Sequence, residues 1–183
     1  MPPPSRIRAA LDRFAQSSKL FMLLDDAGRD RLAACGTVEY RASGSTIVRQ
    51  GEVGDTFYLI AAGEVRVLVS DGKGAAAREV ARLGAGQFFG EMAVLGRQPR
   101  SATVEAATSC ELVRFGREPV MAILADYPAA REVVGAVGLS RSEANLDRQS
   151  AAGDGGLSAL LEGEEEEIVL IDADVDAEDE GQT

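Results

Sequence analysis

The sequence predicts a mainly β protein, a sandwich or jelly-roll barrel of short strands with flanking helices. Three observations predict this fold class. Glycines cut residues 37–115 into short β-rich pieces, which is typical of sandwiches and barrels. The residues before and after this region repeat apolar side chains at helical spacing. The composition, 45% hydrophobic and 27% charged, suits a soluble globular protein.

Two helices are predicted before the β region. Residues 5–16 place four apolar side chains on one helical face: Ile7, Ala10, Leu11 and Phe14. The stretch "SSKLFMLLDDAGRDRLAAC" then predicts a tight turn followed by a second helix over residues 26–35.

The β region contains six recognisable strand segments: "TIVRQ", "TFYLIAA", "EVRVLVS", "REVARL", "ATVEAA" and "ELVRFG". The intervening stretches "AAGEV" and "SDGKGAAA" predict hairpin connections. One segment interrupts the pattern, because "GEMAVLG" favours a single helical turn. Pro99 then returns the chain to extended geometry just before Arg100.

Helical periodicity returns after Phe115. "REPVMAILADY" predicts one helix, Tyr127 and Pro128 mark a break, and "PAAREVVGAVGLSRSEANLDRQ" predicts a second helix. Gly135 and Gly138 each weaken this second helix by about 1 kcal/mol relative to alanine.

The charge of the chain is concentrated at its C-terminal end. Residues 150–183 hold twelve acidic residues and no Lys or Arg, whereas the other residues hold nineteen basic and eighteen acidic ones. This composition predicts disorder. The chain therefore divides into an N-terminal helical extension (residues 1–18), one domain with its C-terminal helices (19–149) and an acidic tail (150–183). A nearly neutral body with an acidic tail argues against binding to DNA.

Composition also excludes several kinds of chemistry. The chain has no histidine, which excludes Ser-His-Asp and Cys-His catalysis and histidine-ligated metals. Two cysteines, Cys35 and Cys110, form neither a disulfide framework nor a zinc cage, so a reducing cytoplasm is expected. No apolar run approaches the roughly 18 residues that span a bilayer, and the N-terminus lacks the apolar core of a signal peptide. We therefore expect a cytoplasmic protein that is not an enzyme, holds no metal and does not contact a membrane.

The stretch "FFGEMAVLGRQPRSAT" (residues 88–103) has the composition of a site for a phosphate beside a sugar. Backbone N–H groups at a helical turn bind anions, and Gly90 lets a ligand approach the backbone. Arg100 can bind a phosphate through two N–H groups, and Ser101 adds a hydroxyl. Glu91 repels a phosphate but accepts hydrogen bonds from a sugar hydroxyl. A cyclic nucleotide carries both groups.

The same residues carry a resemblance to a known family. Phe89-Gly90-Glu91-Met92-Ala93-Val94 and Pro99-Arg100-Ser101-Ala102-Thr103 resemble the phosphate-binding cassette of cyclic nucleotide-binding domains, above all that of protein kinase A regulatory subunits. Upstream, "GEVGDTFYLIAAGEVRVLV" is similar to the family's glycine-rich strand pattern. The resemblance covers about residues 20–145.

The resemblance implies an eight-stranded jelly-roll β-barrel flanked by helices, and it assigns roles to residues. It implies that Glu91 binds the ribose 2′-hydroxyl, that Arg100 binds the cyclic phosphate, and that backbone amides near Gly90, Ala93 and Ser101 complete the cradle. Serine at position 101 favours cyclic AMP, with cyclic GMP as the alternative ligand. The full set of expected ligand-binding residues is Phe89, Gly90, Glu91, Met92, Ala93, Arg100, Ser101 and Ala102.

These features favour a cyclic nucleotide sensor that controls a partner protein of unknown identity. In this hypothesis the helix over residues 128–145 closes over the base as a lid, with Val134, Val137 or Leu139 as its cap. The alternative is a degenerate domain that keeps the fold, binds no nucleotide and serves as a protein-interaction scaffold. A DNA-binding regulator is disfavoured because an acidic tail follows the long helix, and a jelly-roll enzyme such as a cupin is disfavoured by the lack of histidine. The apolar residues 168–171 favour either a docking strand for the partner or an inert solubilising tail, and both hypotheses stay open.

Overall fold

The computed structural model describes residues 5–70 and 76–151, with side chains as far as residue 144. Its β part comprises eight strands within those residues: β1 (Thr37–Arg41), β2 (Thr46–Val48), β3 (Thr56–Ala62), β4 (Val65–Val69), β5 (Arg78–Leu83), β6 (Phe88–Phe89), β7 (Thr103–Ala106) and β8 (Cys110–Gly116). They form two antiparallel four-stranded sheets, ordered β1-β8-β3-β6 and β2-β7-β4-β5. The predicted eight-stranded jelly roll is confirmed, as two facing sheets. The predicted acidic tail lies outside the described residues from residue 152 onward, together with its apolar segment, and its first two residues belong to the last helix.

Strand β3 shows why its sequence is apolar at nearly every position. Phe57 and Leu59 are buried in a core shared with the helices, whereas Tyr58 and Ile60 are buried in a second core between the two sheets. Alternate side chains of a strand point to opposite faces, so a strand covered on both faces needs apolar residues throughout. The β3 sheet therefore lies between the helices and the other sheet.

Six helices occur in the described part of the chain. They are α1 (Arg6–Phe14), α2 (Lys19–Met22), α3 (Asp26–Cys35), α4 (Glu91–Gly96), α5 (Arg117–Asp126) and α6 (Pro128–Ala151). The predicted helices are confirmed. The four-residue α2 was not predicted, because it is too short to show a periodic pattern. All four predicted apolar residues of α1 are buried in the same core as those of α3, α5 and α6. In the described residues, no helix combines the length and hydrophobicity needed to cross a bilayer.

The junction between α5 and α6 is fastened to α3. The Tyr127 hydroxyl donates to the Asp25 carboxylate at 2.5 Å, and the same oxygen accepts the Gly28 N–H at 2.8 Å. Only glycine fits at position 28, because the Tyr127 ring lies 2.7 Å from the point where a Cβ would be. The Tyr127 hydrogen bond, followed by that of Gly28, lowers the pKa of the Asp25 carboxyl. This contact fixes the point from which α6 starts.

The strands and their connections differ from the sequence prediction in two respects. "AAGEV" was expected to close a hairpin, but it joins β3 of one sheet to β4 of the other. Gly63 makes this corner with a φ of 88°, and a Cβ there would lie 2.5 Å from the Ser109 carbonyl oxygen. Strands β1 and β6 were also not among the six predicted segments, although both pair regularly in the first sheet.

Candidate functional site

One cavity is lined by all eight residues of the predicted site: Phe89, Gly90, Glu91, Met92, Ala93, Arg100, Ser101 and Ala102. The strands supply its apolar wall through Val48, Val67, Ala81, Leu83 and Val104. Helix α6 covers it with Arg141 and Ala144. The cavity has a volume of about 110 Å³. Pockets for drug-sized ligands measure roughly 300–1,000 Å³, so in this arrangement the cavity is tight.

Gly90 starts the short helix that frames the cavity. Its φ of 89° lies in the left-handed region, which glycine adopts without strain. A Cβ at this position would lie 2.6 Å from the Thr56 carbonyl oxygen and 2.7 Å from Arg100 Nη1. Glycine is therefore required both by the turn and by the close packing of β3 and Arg100.

Arg100 is a buried cation held by neutral oxygen atoms. Its side chain is 7% exposed. Nη1 donates to the Thr56 carbonyl oxygen at 2.9 Å and to that of Gly90 at 3.4 Å, and Nη2 donates to Thr56 Oγ1 at 2.7 Å. Within the described residues no carboxylate lies at ion-pair distance from it, and burial lowers the pKa of the guanidinium. Since a buried charge is costly unless paired, an anion in the cavity would stabilise this arrangement.

Two residues that position Arg100 were missed by sequence reasoning. Gly54 is one of the glycines that separate the predicted strands, yet a Cβ there would lie 2.6 Å from Arg100 Nε and Nη2. Thr56 was taken only as the first residue of a strand, yet it accepts two of the guanidinium hydrogen bonds. Both residues belong to the stretch "GEVGDTFY", which is part of the family resemblance. The resemblance therefore pointed to this stretch, whereas hydrophobic periodicity did not.

Glu91 is also buried, at 4% exposure, and its partner comes from α6. Arg141 Nη1 lies 3.3 Å from Glu91 Oε2 and donates to the Phe88 carbonyl oxygen at 2.7 Å. The Arg141 guanidinium also covers the Phe88 ring, 5.3 Å from its centroid. Arg141 therefore fastens α6 to the cassette. No local pattern in the sequence marks this residue.

The close approach of α6 to α4 depends on Gly138. A Cβ at Gly138 would lie 2.6 Å from Met92 Sδ and 3.2 Å from Glu91 Cγ, whereas one at Gly135 would meet nothing within 4 Å. The predicted lid caps do not line the cavity. Val134 and Val137 pack into the helical core and Leu139 is 61% exposed. Helical rotation places Arg141 and Ala144 over the cavity instead.

A jelly roll with a buried arginine and a buried glutamate on one short cassette defines a class of protein, the cyclic nucleotide-binding proteins. Residues 38–127 match the family model described as "Cyclic nucleotide-binding domain". The resemblance found in the sequence is confirmed, and residues 38–127 belong to the cyclic nucleotide-binding domain family.

Relatives from several organisms match the same region. The chain is 38% identical over 113 residues to a cAMP-dependent protein kinase regulatory subunit of Schizosaccharomyces pombe, covering 61% of this chain and 26% of that protein. It is 34% identical over 114 residues to a cGMP-dependent protein kinase of Toxoplasma gondii, covering 62% of this chain and 11% of that protein. The regulatory domain of Toxoplasma gondii PKA, solved with cAMP, superposes with a TM-score of 0.64 at 28% identity, covering 73% of this chain and 50% of that one. The chain thus spans between about a tenth and a half of the length of these relatives.

Proposed function

We propose that this chain is a cyclic nucleotide sensor that binds cyclic AMP in the cassette cavity and controls a partner protein through the position of α6. The observation that carries this proposal is the pair of buried charges. Arg100 is buried without a carboxylate partner in the described residues, and Glu91 is buried on the same cassette. A ligand with one negative charge beside a hydroxyl donor complements both residues.

The roles of the two charged residues follow from this complementarity. The cyclic phosphate supplies a negative charge next to Arg100, which has no carboxylate partner in the described residues. The hydrogen bonds from Arg100 to Thr56 stay in place. The ribose 2′-hydroxyl donates to Glu91, whose carboxylate currently pairs with Arg141. Gly90, Ala93 and Ser101 supply backbone groups of the cradle.

Movement of α6 is part of the proposal because the cavity is small. A nucleotide does not fit a volume of about 110 Å³ while Arg141 and Ala144 cover the cavity. Binding therefore shifts α6 away from the cassette or along it, about the fixed junction at Tyr127. The displaced α6 is the signal that a partner protein detects.

Cyclic AMP is preferred over cyclic GMP because Ser101 stands where cyclic GMP-binding members often carry threonine. The relatives include kinases named for each nucleotide, which supports both as candidate ligands. Replacing Ser101 by Thr should narrow the difference in affinity, since the added methyl restricts the hydroxyl rotamer. A wild-type preference for cyclic GMP would contradict this part of the proposal.

Calorimetric titration with both nucleotides tests the proposal. Arg100→Ala should weaken cyclic AMP binding by about 30-fold or more, since removing a buried charge partner costs roughly 2–5 kcal/mol. Arg131→Ala is the matched control, because Arg131 is an exposed arginine of α6 outside the cavity. An affinity of the Arg100 variant equal to that of the control would refute the phosphate assignment. No binding of either nucleotide to the wild type would support a scaffold without ligand.

The protein acts as a regulator in the cytoplasm and not as an enzyme in this proposal. Its regulated partner is unidentified, and the proposed docking segment for it is the apolar residues 168–171 of the acidic tail, with an inert solubilising tail as the alternative. Replacing these four residues with serine should abolish partner capture and leave nucleotide affinity unchanged. An unchanged set of captured proteins would assign the tail a solubilising role only.

A further inference from the structure

A second cleft lies on the other side of the cassette helix, with a volume of about 620 Å³. The loop between β2 and β3, the C-terminal end of α4 and the start of α5 form its walls. Its lining residues are Val53, Gly54, Asp55, Ala93, Arg97, Gly116, Arg117, Glu118 and Pro119. The volume lies within the roughly 300–1,000 Å³ usual for ligand pockets.

Arg117 contributes a buried polar atom without a partner. Its backbone N–H donates to the Asp55 carbonyl oxygen at 2.7 Å, which fixes the start of α5 beside the loop. Its Nη1 is buried and has no hydrogen-bond partner among the described residues. An unsatisfied buried donor of a charged group is costly, and Arg117 is one of the residues that line the cleft, so the structure points to an acceptor that binds there.

Arg97 supplies a second guanidinium to the same cleft. Many arginines in the described part of the chain pair with carboxylates, as Arg31 does with Asp126 at 2.7 Å and Arg66 with Glu105 at 2.8 Å. The side chains of Arg97 and Arg117 have no ion pair within that part of the chain. Two arginines without carboxylate partners in one concave site are the usual components of an oxyanion site.

The carboxylates in the cleft restrict what it can accept. Asp55 and Glu118 also line it, although neither lies within ion-pair distance of Arg97 or Arg117. Two cations and two carboxylates give no net positive charge, so a polyanion such as DNA would be repelled as much as attracted. A single compact oxyanion that contacts the guanidinium groups directly suits this balance.

We propose that Arg97 and Arg117 form a second ligand site, which binds one phosphate or carboxylate group behind the cassette. The site is separate from the nucleotide cavity but adjoins it. Ala93 lines both cavities, and Gly54 lines the cleft at a position where a Cβ would lie 2.6 Å from Arg100 Nε and Nη2. An anion bound here therefore contacts the same elements that hold Arg100, which provides a physical route for coupling between the two sites.

Titration of the 183-residue chain with inorganic phosphate tests the site, with the arginine side-chain N–H signals in NMR spectra as the readout. The titration uses the Arg100→Ala variant, so that phosphate in the nucleotide cavity does not contribute and the outcome does not depend on the proposed function. We expect saturable shifts of the Arg97 and Arg117 signals. Adding Arg97→Ala or Arg117→Gln should weaken binding by about tenfold to a hundredfold.

Arg131→Ala serves as the matched control, and Arg117→Lys serves as a charge-retaining variant if Arg117→Gln lowers the melting temperature. The proposal is overturned if neither arginine signal shifts with phosphate, or if Arg131→Ala weakens binding as much as Arg97→Ala. A parallel titration with acetate identifies the source of the anion. Equal shifts with acetate assign the site to carboxylates as well, and shifts with phosphate alone assign it to phosphate esters.

Discussion

Replacing Gly54 with alanine should weaken cyclic AMP binding without damaging the fold. The backbone at Gly54 lies outside the left-handed region, so alanine adds no backbone strain there. The new Cβ would lie 2.6 Å from Arg100 Nε and Nη2 and 2.8 Å from Cζ. Since non-bonded atoms pack at about 3.5 Å, the guanidinium has to move by about 1 Å.

The structure sets the size of this effect. The guanidinium is held by hydrogen bonds of 2.9 and 2.7 Å to Thr56, and a shift of that size breaks at least one of them or misaligns the phosphate contact. A hydrogen bond to a charged group contributes about 1.5–3 kcal/mol. Gly54→Ala should therefore weaken cyclic AMP binding by about tenfold to a hundredfold.

Calorimetry with cyclic AMP measures the effect, and Gly84→Ala is the matched control. A Cβ at Gly84 would meet nothing within 4 Å, so that variant should bind as the wild type does. Melting temperatures of both variants show whether the fold is intact. Affinities of the two variants within twofold of each other would refute the view that Gly54 makes room for Arg100.

Three further predictions concern the ribose contact, the α6 contact and the α3 junction. If Glu91 binds the ribose, 2′-deoxy cyclic AMP should bind the wild type more weakly than cyclic AMP does, and Glu91→Ala should bind the two nucleotides equally. The same affinity ratio for the two nucleotides in wild type and mutant would exclude the contact. Gly138→Ala should displace α6 from Met92 and alter nucleotide affinity. Gly135 has free space around it, so Gly135→Ala should raise helix stability by up to about 1 kcal/mol in thermal unfolding. Identical behaviour of the two variants would contradict the packing role of Gly138. Because the pKa of Asp25 is lowered in the folded protein, its contact with Tyr127 stabilises the fold above the unfolded pKa of about 3.9, and this stabilisation is lost as pH falls through the lower folded value. The melting-temperature difference between wild type and Tyr127→Phe should therefore be full at neutral pH and smaller in acid. A difference that does not change with pH would refute the linkage.

The order of helices and strands was predictable because it depends on local patterns. Glycine-bounded alternation and helical periodicity identified the main elements, and α3 begins and ends where the sequence placed it. The two-residue β6 and the four-residue α2 were missed, since segments that short carry no periodicity. The five-residue β1 was missed because its exposed and half-buried positions do not alternate. The corner at Gly63 was taken for a hairpin because a turn sequence does not specify which sheet the next strand joins.

The predicted site residues were also accessible to sequence reasoning. They occupy two short segments, 89–93 and 100–102, that one six-residue helix brings together, so their neighbourhood in space follows from their neighbourhood in the chain. Motif spacing was therefore enough to place them around one cavity.

By itself, the sequence determined the fold class and the cassette, because both arise from interactions among residues close in the chain. The tertiary structure decided what surrounds the cassette charges. Thr56 meets Arg100 across 44 positions and Arg141 meets Glu91 across 50, and Arg97 and Arg117 come to share a cleft only when α5 packs beside the cassette. Such contacts depend on how the sheets and helices pack, and the period of a strand or helix carries no information about which distant side chain will face it.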